Sequence, residues 1–113
     1  MIVTKTSPFT KEEIEKASKE LEPYIKTVID IKKRVCSAGA RLHADSEQIL
    51  LKQGSNQKDL WGGGVDAEIK TIDFNAMINI RPNNNNPSNE LLDAEKRKKF
   101  EELTKYFFKL LFK

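Results

Sequence analysis

At 113 residues, with 38% apolar and 33% charged side chains, the chain is long enough for one domain with its own core and needs neither disulfides nor a structural metal. The single cysteine, Cys36, excludes an intrachain disulfide. No apolar run approaches the roughly 20 residues of a membrane span and the N-terminus lacks a signal-peptide pattern, so a cytoplasmic protein without membrane contact is expected. The net charge of +3 is too small to argue for nucleic acid by itself, although residues 96–113 hold seven Lys/Arg against two Glu and so concentrate the basicity there.

Taken in chain order, Met1–Lys5 reads as a short strand. Thr10 and Glu13 form a capping box, and Phe9 and Ile14 occupy the positions of a hydrophobic staple. The helix they start carries Ile14, Ala17 and Leu21 on one face and stops near Leu21, ahead of Pro23. Tyr24–Ile31 is a β-rich run, with Ile25, Thr27, Ile29 and Ile31 on one side and Tyr24, Lys26, Val28 and Asp30 on the other. Lys32-Lys33 begins a turn, and Arg34–Ala38 returns as a strand that closes at Gly39.

Asp45–Gln53 reads as a second helix, capped by Asp45 with Gln48 and closed by Gly54 as its C′ residue. Ser55 is placed to cap a further helical turn towards Trp61, and Gly62-Gly63-Gly64 is expected to break the chain. Glu68–Phe74 and Ala76–Arg81 read as strands, the second stopped by Pro82. Asn83–Pro87 is a loop. Asp93 caps the last helix, whose stripe is Phe100, Leu103, Phe107, Leu110 and Leu111. The expected fold is α+β: a mainly antiparallel sheet of about four or five strands, with the N-terminal and C-terminal helices packed on one face, as one domain over residues 1–113.

The segments H-A-D-S-E, G-S-N-Q-K-D-L-W-G and I-N-I-R-P, with the loop and helix that follow, resemble a family of small, uncharacterised bacterial proteins known only as a domain of unknown function. The resemblance spans nearly the whole chain and implies a stand-alone bacterial protein. It brings no activity and no cofactor with it.

The residues richest in chemistry lie between Leu42 and Gly64: the only histidine (His43), the only tryptophan (Trp61), Asp45, Glu47 and Asp59, and four of the five glycines. On an extended segment His43, Asp45 and Glu47 would share a face and could hold a divalent metal; on a helix Asp45 is a cap and Glu47 a favourable first-turn charge, which is the reading the spacing favours. His43 is the one side chain expected to titrate near neutrality. Trp61 offers a stacking wall for a planar ligand, or a core anchor, and Asp59 an acceptor beside it. On a strand, Asn79 and Arg81 would share the face opposite Ile78 and Ile80, where Arg81 could clamp a carboxylate or phosphate. Ser88 and the asparagine run could add donors. Asp66-x-Glu68-x-Lys70 weakly matches part of a metal-dependent nuclease motif and equally fits an exposed strand. The glycines form no phosphate loop.

The leading expectation is a small ligand-binding or hydrolase-like protein. Its polar pocket, made from His43, Asp45, Glu47, Asp59, Trp61, Asn79 and Arg81, takes an anionic small molecule, with His43 and the carboxylates moving protons or binding a metal. The competing class is a non-catalytic interaction protein that uses Lys98, Lys105, Lys109 and Lys113 of the last helix for nucleic acid or an acidic protein. Helical periodicity already explains these lysines as a solvated face, so nucleic acid is not expected. Phe108, off the stripe's centre, suggests a homodimer contact.

Overall fold

Strand β1 (Val3–Lys5), helix α1 (Lys11–Ser18), strands β2 (Tyr24–Asp30) and β3 (Val35–Ala38), helix α2 (His43–Lys52), strands β4 (Leu60–Asp66) and β5 (Thr71–Asp73) and helix α3 (Ala94–Phe107) follow one another in a computed structural model that describes residues 1–113. The five strands form one antiparallel sheet in the order β1-β3-β2-β4-β5.

Both tight hairpins are built the same way. Asp30 Oδ1 accepts from the Lys32 and Lys33 N–H groups at 3.0 and 2.8 Å, and Arg34 takes a left-handed conformation (φ 60°) before β3. Asp66 Oδ1 accepts from the Glu68 and Ile69 N–H groups at 2.9 and 3.0 Å, and Lys70 is left-handed (φ 58°) before β5. Each aspartate folds the chain back by bonding to the backbone just ahead of it. Asp66, Glu68 and Lys70 therefore belong to a strand end and a turn. The expected run of alternating charges on a strand from Glu68 is corrected.

The start of α1 follows its sequence: Thr10 Oγ1 accepts from Glu13 N–H at 3.2 Å and Glu13 Oε1 from Thr10 N–H at 2.8 Å. The helix ends at Ser18, a turn before Leu21. Helix α2 begins two residues earlier than expected, with Leu42 at the cap position and no side-chain cap bond, so the Asp45–Gln48 box does not form. Its end is as read. Gly54 (φ +101°) donates to Leu51 O and Ser55 to Leu50 O, the paired bonds of a Schellman closure. Asp93 caps α3, accepting from Lys96 N–H at 3.0 Å.

Two expected elements change identity. Gly62-Gly63-Gly64 does not break the chain but lies within β4, and Ala76–Arg81 is not a strand but contains a 3-10 turn over Met77–Asn79. The turn reaches β4 through a side chain: Asn79 Oδ1 accepts from Gly62 N–H at 2.8 Å and Asn79 Nδ2 donates to Gly62 O at 2.9 Å, imitating the bonds of a neighbouring strand.

Pleat alternation separates the two sheet faces. Ile25 and Ile29 of β2 and Trp61 and Val65 of β4 join Phe9, Ile14 and Ala17 with Phe100, Leu103, Phe107 and Phe108 in the main core. On the other face Val28, Leu60 and Leu50 of α2 form a smaller cluster. Phe108 is buried, its ring 4.8 Å from that of Phe9, so it is core within the chain and not a spare contact for a second copy. Leu110, expected inside, is exposed.

Candidate functional site

The glycines of β4 shape the site. The register aligns Lys26 with Gly64 and Gly64 with Asp73. Residues opposed in an antiparallel ladder point to the same face, so Lys26 and Asp73 flank a position without a side chain. A Cβ at Gly64 would collide with the Tyr24 phenol, which lies over the strand there. A Cβ at Gly62 would crowd Ala76, Ile78 and the His43 ring. The result is a cleft of about 400 Å³ lined by Tyr24, Lys26, His43, Asp73, Asn75, Ala76, Met77 and Asn89. A smaller hollow of about 160 Å³ adjoins it, sharing Lys26, His43 and Met77 and adding Leu42, Ala44 and Ile78.

His43 is the first residue of α2, and its Nε2 lies 2.7 Å from Gly63 O. Burial is the main influence on its titration and holds the imidazole below the ordinary value; the Lys26 charge acts in the same direction, while the Gly63 carbonyl and Asp73 oppose. The ring is therefore neutral at pH 7. A neutral imidazole has one N–H, and a carbonyl only accepts, so the proton sits on Nε2. Nδ1 is left as a lone-pair acceptor with no hydrogen bond from the protein.

Tyr24 Oη donates to Asp73 Oδ2 at 2.6 Å, and Asp73 Oδ1 accepts from Asn75 N–H at 3.1 Å. Burial, reinforced by Asp73, pushes the phenol well above its usual range and keeps it a protonated donor. The cleft thus presents a cation (Lys26), a carboxylate (Asp73), a neutral acceptor (His43) and a phenol. Of these, sequence reasoning found only His43. Tyr24 and Lys26 were legible as the outer side of β2, but no motif marks them.

The other residues expected at a site are placed elsewhere. Glu47, Trp61 and Arg81 do come together, but below the surface. Arg81 Nη2 lies 3.4 Å from Glu47 Oε2, with both side chains at most 10% exposed, and the guanidinium carbon is 4.6 Å from the centroid of the Trp61 ring. Arg81 Nε donates to Ile78 O at 2.7 Å and Nη1 to Gln57 O. Three of its five N–H donors are used inside the protein and the residue is buried, which corrects the expectation of an anion clamp. Trp61 is fully buried, with Lys96 Nζ also 5.1 Å from its centroid, so no ring face is left for a ligand.

Asn79 is fully buried and bonds Gly62, Phe74 and Asn89; it holds the floor of the cleft without lining it. Asp59 closes the 3-10 turn Gln57–Asp59 and lines neither hollow, and Asp45 is exposed on the first turn of α2. His43, Asp45 and Glu47 do not converge; no group of three His, Cys, Asp or Glu side chains is placed to hold a metal. Within the asparagine loop Asn86 is a buried hub: its Nδ2 donates to Asn79 O, Ser88 O and Glu90 O, and its Oδ1 accepts from Leu92 N–H.

Fold and cleft together define a small single-domain α+β protein with an open polar cleft on one face of an antiparallel sheet. The chain belongs to the family described as protein of unknown function (DUF5674), whose model matches residues 1–107. No curated protein and no solved structure matches it. No helix is long and apolar enough to cross a membrane.

Proposed function

We propose that the protein binds a small molecule bearing an anionic group in the cleft over β4, with Lys26 as counter-ion and His43 as neutral acceptor or base. The observation that carries this reading is the His43 ring: Nε2 is fixed by the Gly63 carbonyl, Nδ1 has no partner within the protein, and the residue lines the cleft with Lys26, Tyr24 and Asp73. A second feature agrees with it. Helix α2 starts at the same mouth without a side-chain cap, and uncapped N–H groups at a helix start favour negative charge. In a hydrolase-like protein the same Nδ1 would take a proton from an attacking water. With α1 and α3 both covering the Trp61 face, in line with their shared core cluster, and α2 covering the Val28 end of the opposite face, the Tyr24 end is left to the ligand. With one buried thiol and no need of disulfides, we place the protein in the cytoplasm.

The test is an amide and side-chain NMR titration with acetate. Shifts should centre on Lys26, His43 and Asp73 and vanish in Lys26→Met. Shifts that persist in that variant, or that gather around Arg81 instead, would refute the assignment.

A further inference from the structure

We infer that the ligand of this cleft is a free α-amino acid with an aliphatic side chain, an inference that rests on the cleft being the binding site. The cleft walls carry one cation and one carboxylate, Lys26 and Asp73, on the same face of the sheet and two strands apart. At a strand spacing of about 4.8 Å their backbones are separated by roughly 10 Å, and the Tyr24 phenol lies over the glycine between them. Asp73 uses one acceptor site on each oxygen, for Tyr24 and for Asn75, and a carboxylate has about four. His43 Nδ1 is a further acceptor.

These groups ask for a ligand with donors as well as a negative charge. An ammonium group satisfies Asp73 and Nδ1 while its own carboxylate pairs with Lys26. A doubly charged phosphate would meet Asp73 unfavourably, and a plain carboxylate would leave both acceptors unused.

The side chain is assigned by the adjoining hollow. Leu42, Ala44, Met77 and Ile78 give it apolar walls, and it opens off the residues shared with the polar cleft. Leu42 and Met77 are among the most exposed large apolar side chains of the chain, at 56% and 75%. A ligand side chain seated there would cover part of that surface and favour binding through apolar burial. Four of its six lining residues are apolar, which suits an aliphatic side chain.

Leucine, glycine, isocaproate and inorganic phosphate, titrated separately into isotope-labelled protein, separate the parts. Glycine lacks the side chain and isocaproate lacks only the ammonium. Leucine should bind roughly tenfold or more tighter than glycine, since burying even part of such a side chain is worth that factor, and about tenfold or more tighter than isocaproate, which lacks the charge-assisted bond from the ammonium to Asp73. Met77→Glu, a change at a surface position, should weaken leucine about tenfold without moving the melting temperature. Glycine binding as tightly as leucine, or isocaproate doing so, would overturn the inference. Phosphate or isocaproate perturbing the cleft while leucine does not would overturn it and leave the site itself standing. No perturbation by any of the four would overturn both.

Discussion

His43 Nε2 lies 2.7 Å from the carbonyl oxygen of Gly63, tying the first residue of α2 to the middle of β4. The contact fixes the orientation of the only imidazole and decides which of its nitrogens is left without a partner in the protein. It is possible because Gly62, which would otherwise carry a Cβ against the His43 ring, has none.

The three glycines are not equivalent. A Cβ at Gly63 would collide with the Asp73 carbonyl, a backbone atom, and with the Phe100 ring; at Gly64 the nearest atoms belong to the phenol end of Tyr24, a side chain that can move. Gly63→Ala should therefore destabilise the fold by about 2–3 kcal/mol, through overpacking that the backbone cannot relieve. Gly64→Ala should be milder in denaturant unfolding but should release Tyr24 from Asp73. Equal costs for the two would argue against this geometry.

Asn79 supplies a strand's worth of hydrogen bonds from one side chain. Asn79→Ala leaves the Gly62 N–H without its acceptor inside the protein and should cost about 2–3 kcal/mol. Amide exchange at Gly62 should accelerate by more than at Leu60, whose neighbours are untouched. Unchanged protection at Gly62 would mean that the edge of β4 is held some other way.

Arg81 and Glu47 are a buried pair. Glu47→Leu strands the guanidinium without its counter-charge and should cost about 3–5 kcal/mol. The double variant Glu47→Leu, Arg81→Met should recover part of that loss, because the uncompensated charge is gone although two carbonyls lose donors. A Glu47→Leu cost well under about 1 kcal/mol, the range of exposed pairs, would place the pair at the surface.

Acid sensitivity follows from His43. Its native imidazole is held below the ordinary value, chiefly by burial, so the unfolded chain takes up its proton first. The stabilisation is complete above about 6.5 and is lost as the pH falls through the native value. Denaturant midpoints should fall on moving from neutral into mildly acidic solution, and His43→Gln should flatten that part of the curve. A midpoint that rises over the same range would reverse the sign of the argument.

Much of the fold was legible because local chemistry and tertiary structure agree. The Thr10–Glu13 box, the Gly54 closure, the Asp93 cap and the alternation of β2 all form where the residue types require. The glycine triplet was not legible, because glycine's preference for turns is a local property. What keeps Gly62–Gly64 extended is the space that Tyr24, Asp73 and Phe100 need, which no local window contains. The same limit governs the site. Trp61, Arg81 and Glu47 drew attention as versatile residues, yet burial turns them into partners of one another. His43, the lone imidazole, does line the cleft. Its companions Tyr24, Lys26 and Asp73 come from two strands that pair with β4 from opposite sides, and only the register brings them together.

The decisive observable is the protonation state of His43. A long-range proton–nitrogen correlation spectrum at neutral pH should show a neutral ring protonated at Nε2, with an unprotonated Nδ1 signal that moves when leucine is added. A ring protonated at Nδ1, or an imidazolium at neutral pH, would contradict this reading, since neither leaves Nδ1 as a free acceptor.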